Sequence, residues 1–316
     1  MKILFLLFLI CTSVQAKTKY LGHLILPKEA SGLKYKLGGI SGWVYEAPYF
    51  YAISDSSGKN GPNRIIKMTY QAPLKLNNFE EILLTTDNQD FEGIVLTNDS
   101  FILSHEGPDE LSLYEVSKKG RLIKKKILPY PMGNIHRNRG LEGLSKYKDN
   151  LMAIFENPLK NEWPVNRALF FDIESLELQR NYAYLLDAIP LKYKAPDYGV
   201  SEILFLSEKK FLSLERGYDR IKSENWIKLF INEIDKFTTD LELNSPHDIS
   251  WAPISKRLLL DFDDIRPLLP IELRSLDNFE AMSFGPRIKG KKTIWIAADD
   301  NFSDHQQNLV LILTIE

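Results

Sequence analysis

The sequence predicts an all-β protein, a β-propeller of six blades with seven left open. Three observations lead there: a hairpin unit that recurs five times with carboxylates at matching positions, further strand-like runs spaced between the copies, and a chain whose only cysteine, Cys11, lies near its start. A repeat takes precedence over local assignment, because each copy buries its apolar face only by stacking on its neighbours.

The first element is a leader. Lys2 precedes the apolar run Ile3 to Ile10, and Thr12 to Ala16 end it in a small-x-small pattern before Lys17. That is the form of a secretory signal, residues 1–16, removed on export to a bacterial periplasm or the medium. A spanning helix needs roughly 20 apolar residues, and Gln15, Lys17 and Lys19 arrive too early for one. Cys11 leaves with the leader, so thiol nucleophiles, disulfides and cysteine-rich zinc sites are excluded from the mature domain, residues 17–316. The net charge of -2 is spread along the chain without a linker, which predicts one domain, a monomer, with no nucleic-acid partner and no membrane span.

The hairpins follow in order. Gly39-Ile40-Ser41-Gly42 with Tyr51 to Asp55 is the first, and Asp90-Phe91-Glu92-Gly93 with Phe101 to Gly107 the second. Gly140-Leu141-Glu142-Gly143 with Leu151 to Glu156 is the third, and Val200-Ser201-Glu202 with Phe211 to Arg216 the fourth. Asn278-Phe279-Glu280-Ala281 with Thr293 to Asp299 is the fifth. Each is two apolar runs about a polar break, the pattern of a β-hairpin. The spacing from first to last carboxylate is 14 for Glu92–Glu106 and Glu142–Glu156, 13 for Glu202–Glu215 and 19 for Glu280–Asp299. Further strand-like runs lie at Arg64–Tyr70, Leu111–Val116, Ala168–Ile173, Trp226–Ile231, Arg257–Leu260 and Leu309–Ile315. A hairpin plus one or two strands in roughly 50 residues is a propeller blade, and about 300 residues at that size hold six. The interval from Glu202 to Glu280 is too long for one blade of that size. His23–Leu26 beside Leu309–Ile315 would close the ring.

Ring closure would gather Asp55, Glu92, Glu106, Glu142, Glu156, Glu202, Glu215, Glu280, Asp299 and Asp300 on one face, with Asp277 nearby. So many carboxylates stay ionised only against cations. Arg139, Arg167, Arg216 and Arg64 are one source of counter-charge. An all-oxygen metal site is the other, and it suits calcium better than zinc or copper. Acidic strand ends also serve purely structural roles by capping loop amides, and that reading stays open. His105, beside Glu106, is the best placed of the scattered histidines; His136, His247 and His305 stand apart. Ser41 is not in a G-x-S-x-G elbow. Asp299 to Asp304 reads equally as a metal loop or a turn, and Trp43 and Trp295 read as core.

At these motifs the chain resembles the phytase-like family, known by its esterase-like activity of phytase. The resemblance rests on Gly39–Gly42 with Ala52–Asp55, Phe91–Ile94, Ser104–Gly107, Asn138–Leu144, Ser213–Arg216, Asp277–Met282 with Gly285-Pro286, and Ala298–Phe302. It departs from the family's pattern at Ala281, where glycine is expected, and at Ser201. The resemblance implies an exported propeller that hydrolyses small-molecule phosphoesters or related esters, with calcium by analogy to propeller phytases. In that scheme Glu92, Glu106, Glu142, Glu215, Glu280 and Asp299 are ligands or bases, Glu106, Glu142 and His105 carry the chemistry, and Arg139 and Arg216 grip phosphate. The alternative is a non-catalytic propeller that binds a ligand or a partner.

Overall fold

The computed structural model describes residues 17–56, 58–86, 89–193, 197–242 and 244–316; the leader, residues 1–16, lies outside them. The first strand, β1 (Thr18–Leu26), is followed by β2 (Ile40–Glu46), β3 (Tyr49–Ser54), β4 (Arg64–Gln71) and β5 (Lys75–Leu83), which form blade one. Blade two is β6 (Asp90–Leu96), β7 (Ser100–Glu106), β8 (Leu111–Ser117) and β9 (Leu122–Ile127). Blade three is β10 (Leu141–Tyr147), β11 (Asn150–Phe155), β12 (Val165–Asp172) and β13 (Leu178–Leu185). Blade four is β14 (Asp197–Ser207), β15 (Lys210–Asp219), β16 (Glu224–Glu233) and β17 (Ser255–Asp261). Blade five is β18 (Asn278–Ile288), β19 (Lys291–Asp299), β20 (Asn308–Ile315) and, as its outer edge, β1.

The propeller therefore has five blades of four antiparallel strands, which corrects the expected six. The expectation failed between Glu202 and Glu280, where two long excursions add length without adding a sheet. Residues 234–242 and 244–254 leave blade four and cover the outer edge of blade three: Leu241 N–H donates to Asn181 O at 2.7 Å and Ile254 N–H to Ala183 O at 2.8 Å. Residues 262–277 make short 3₁₀ turns whose Phe262, Ile265, Leu269 and Leu273 fill the core between blades four and five. The expected closure holds, with His23 opposite Leu311 and Leu26 opposite Asn308. N-terminal and C-terminal segments thus share a blade, which leaves no open end to the ring.

Apolar side chains from adjacent blades interdigitate. Trp43 and Phe50 of blade one pack on Trp295 of blade five, with Phe50 4.9 Å from each indole, and the Trp43 indole N–H donates to Trp295 O at 3.2 Å. These tryptophans are core, as the sequence suggested. The outer strand β9, with Lys124, Lys125 and Lys126 in sequence, carries charge along an exposed edge, a pattern that discourages pairing with another chain. Among the described residues no helix is long and apolar enough to cross a membrane.

Candidate functional site

The innermost strand of every blade departs from its register at the same place. The breaks fall between Ile40 and Gly42, Phe91 and Ile94, Leu141 and Leu144, Val200 and Glu202, and Phe279 and Ala281. A β-bulge re-aims the side chain of the residue left unpaired. The bulged residues are Ser41, Glu92, Glu142, Ser201 and Glu280, so the slot in blade four belongs to Ser201 and not to Glu202. Glycine follows in blades two and three because the next blade comes close. A Cβ on Gly93 would stand 2.8 Å from Glu142 O, and one on Gly143 would stand 2.9 Å from a carboxylate oxygen of Glu202.

The second slot follows from the same register. Ser54, His105, Phe155, Glu215 and Ala298 pair with the residue just before each bulge, and the residues after them are Asp55, Glu106, Glu156, Arg216 and Asp299. Neighbours on a strand face opposite ways. Glu106 and Arg216 therefore share an orientation, while His105 and Glu215 turn the other way. Blade four contributes a cation where the others contribute a carboxylate.

Two predicted ligands consequently lie elsewhere. Glu202 accepts from Leu144 N–H at 3.0 Å and Ile203 N–H at 2.9 Å, with the Met282 amide as a further partner, and so ties blades three, four and five together. Burial pushes its carboxyl well above the ordinary range against those amides. Glu215 accepts from Tyr184 Oη and Lys256 Nζ, each at 2.7 Å. Asp300 accepts through Oδ1 from Gly39 N–H and Phe302 N–H at 3.2 and 3.0 Å while its Oδ2 lies 3.7 Å from Lys28 Nζ, and Asp299 accepts from Asn301 N–H at 2.8 Å, so the 299–304 loop is tied to itself and to the segment between β1 and β2.

The remaining carboxylates act on one another: Asp55, Glu92, Glu106, Glu142, Glu156, Glu280 and Asp299, joined by Asp90. Asp90 was missed in the sequence. It faces Glu106 across the hairpin and lies two residues before Glu92, so the Asp-x-Glu alternation was its only signal. Burial, then neighbouring carboxylates, push Glu92, Glu142 and Asp299 well above the usual range. Burial and Asp55 bring Asp90 to about 7, and its carboxyl hydrogen-bonds both Asp55 and Glu92. Glu106 is raised to about 8 by burial, although the Gly140 amide it accepts from opposes the rise.

Charge within this group is uneven. Arg216 donates to Glu280 at 3.0 Å and to Asn278, and lies 3.9 Å from Glu156. Burial raises Glu280 to about 7, with Arg216 opposing. Around Asp90, Glu92 and Glu106 the principal influences besides burial are other carboxylates and the hydrogen bonds they accept, and no cation. Their oxygens lie within 4.8 Å of one another. One Glu106 oxygen, Oε1, is buried without a hydrogen-bond partner. An all-oxygen set with an unpartnered buried acceptor fits calcium, since two oxygens each ~2.4 Å from the ion are at most ~4.8 Å apart.

The other predicted residues are already engaged. Arg139 donates to Asp197 at 2.8 Å and to Asn157 at 2.9 Å. Arg167 forks onto Glu162 with two bonds of 2.8 Å, and buried Arg64 lies 3.7 Å from Glu81. His105 is buried against Phe91 and Tyr114, and burial pulls its ring down to about 4, so it is neutral at physiological pH. Its Nδ1 lies 3.0 Å from Ser112 Oγ, which donates to Glu110.

The sequence pattern of the family described as Phytase-like: Esterase-like activity of phytase matches residues 35–302. The chain belongs to that family. No curated protein matches it. Among solved structures, the phytase-like chain is similar to an endo-arabinase from Bacteroides thetaiotaomicron at 13% identity and a TM-score of 0.49, covering 87% of this chain and 93% of that one. It is also similar to the aldose sugar dehydrogenase from Streptomyces coelicolor at 10% identity and a TM-score of 0.44, covering 96% and 99%. Likenesses this distant carry no functional argument.

Proposed function

We propose that this phytase-like protein is an exported hydrolase of small phosphoesters or related esters, working as a monomer with calcium on a carboxylate-lined face. The observation that carries the reading is the group of buried carboxylates around Asp90, Glu92 and Glu106, in which one Glu106 oxygen has no partner. Those three would hold the ion, with Asp55 beside them. Calcium bound there supplies a lowered pKa for a water and a positive charge against phosphate. The chain's own groups divide the remaining work. Burial, then the neighbouring carboxylates, raise the Glu142 carboxyl well above its ordinary range, the direction required of a group that protonates a departing alkoxide. Arg216 orients Glu280 and Glu156 and offsets their charge.

The test is hydrolysis of a generic phosphomonoester by the mature protein in millimolar calcium, against Glu106→Gln and Glu142→Gln. Loss of turnover in both, with folding intact, supports the reading; full activity in both removes it. The second reading, a non-catalytic binding propeller, draws on the engagement of Arg139 and Arg216 with carboxylates, which leaves neither free to grip phosphate.

A further inference from the structure

A cleft of about 870 Å³ opens between blades two and three, and its walls include Asp90 and Glu106 together with His136, Arg137 and Lys160. We infer that this cleft is the anion subsite of the proposed enzyme, where Arg137 and Lys160 receive the phosphate of a small phosphomonoester once a cation occupies the adjoining carboxylates. The inference rests on the cation reading of Asp90, Glu92 and Glu106.

Availability of charge singles out these two residues. Arg139 and Arg216 are bonded to carboxylates, and Lys125, the other lysine of the cleft, is paired with Glu110. Arg137 is exposed and makes no hydrogen bond or ion pair among the described residues. It is separated from Arg139 by Asn138, whose φ of 57° turns the chain, so two nearby arginines meet different surroundings. Lys160 reaches across from the loop between β11 and β12. Its amide donates to Asn134 O at 2.7 Å and its ammonium to Gly133 O at 3.0 Å, which pins the connection that carries Arg137. An ammonium has three donors, so Lys160 retains capacity for an anion.

The cleft is also sized for such a ligand, since pockets for small molecules span roughly 300–1,000 Å³. Its polarity is split. Its lining carries Asp90, Glu106, Asp109 and Glu110, which repel an anion when ionised, and Lys125, Arg137 and Lys160, which attract one. A divalent cation held by Asp90, Glu92 and Glu106 cancels their repulsion of an anion. Anion binding is therefore expected to require the cation.

Titration calorimetry with phenylphosphonate, an analogue with no ester bond to break, tests this on the mature protein at pH 8 in saturating calcium. The wild type is expected to bind, with affinity reduced at least ~10-fold in Arg137→Ala and further in Arg137→Ala/Lys160→Gln. Arg121→Ala, on the turn between β8 and β9, is expected to bind as the wild type does, and calcium affinity to be unchanged in all of them. Binding is expected to vanish in EDTA. Wild-type affinity in Arg137→Ala, or no binding by the wild type in calcium, overturns the subsite, and binding that persists in EDTA overturns the cation requirement. The reading of the enzyme fails separately: Arg137-dependent binding without turnover of phenyl phosphate keeps the subsite and removes the hydrolase, while turnover by Arg137→Ala with unchanged KM does the reverse.

Discussion

Glu106 and Glu202 are both buried glutamates in inner parts of the ring, yet their partners assign them opposite tasks. Glu106 has one oxygen on the Gly140 amide and one with no partner, whereas Glu202 is bonded to backbone amides of three blades. Replacing Glu202 by Ala strands those amides in the interior, at about 1–3 kcal/mol for a buried unsatisfied group. Glu202→Ala is therefore expected to lower the denaturant midpoint and leave calcium affinity as it was. Arg216 offers a second test at this scale. Arg216→Gln leaves Glu280 without its cation and Glu156 with Arg139 alone, and protonation relieves that at low pH. Its loss of thermal midpoint, relative to the wild type in EDTA, is expected to be larger at pH 8 than at pH 5.

At the scale of the element, the bulge in the inner strands of blades two, three and five turns a repeated sequence motif into carboxylates that act on one another across blades. Gly93 makes it fit, because a Cβ there meets Leu144 Cβ at 2.6 Å and Glu142 O at 2.8 Å. Gly93→Ala is expected to cost about 1–3 kcal/mol, as overpacking does, whereas Gly133→Ala meets nothing within 4 Å and is expected to cost far less; urea unfolding of the two variants makes the comparison. The same bulge explains what the sequence left illegible. Five hairpins and their order could be read from apolar runs and turns, and so could Glu92, Glu106, Glu142, Glu156, Glu280 and Asp299. In blade four the run Ser201-Glu202 gives no sign of which residue is unpaired, and a slip of one residue reverses every side chain. Glu202 and Glu215 were aligned in that slipped frame, one residue away from Ser201 and Arg216. The spacing of 13 in place of 14 was the one hint of the slip.

Across the whole molecule, blade number was the feature least open to inspection, since residues 234–242 and 244–254 serve as the cover of a neighbouring blade and residues 262–277 as filling between two. Neither has a strand's alternation. The molecular property that follows most directly from the site is a pH-dependent stability. Asp90, Glu280 and Glu106 stand at about 7, 7 and 8 in the folded protein, against ordinary values of 3.8, 4.5 and 4.5. Because folding raises these values, the stability they contribute is full below about pH 4 and is lost as the pH rises through 7 to 8. Between those limits the cation-free protein is expected to lose thermal midpoint steadily, and the proposed calcium, by binding the ionised groups, to flatten the decline.

Thermal unfolding of the mature protein at pH 8, in excess EDTA and then in millimolar calcium, with Glu106→Gln alongside, tests the cation site most directly. A ligand that binds only the folded state raises the midpoint. The account predicts a clear rise for the wild type that is largely absent in Glu106→Gln. An unchanged wild-type midpoint, or an equal rise in both proteins, would contradict a calcium site built on Glu106.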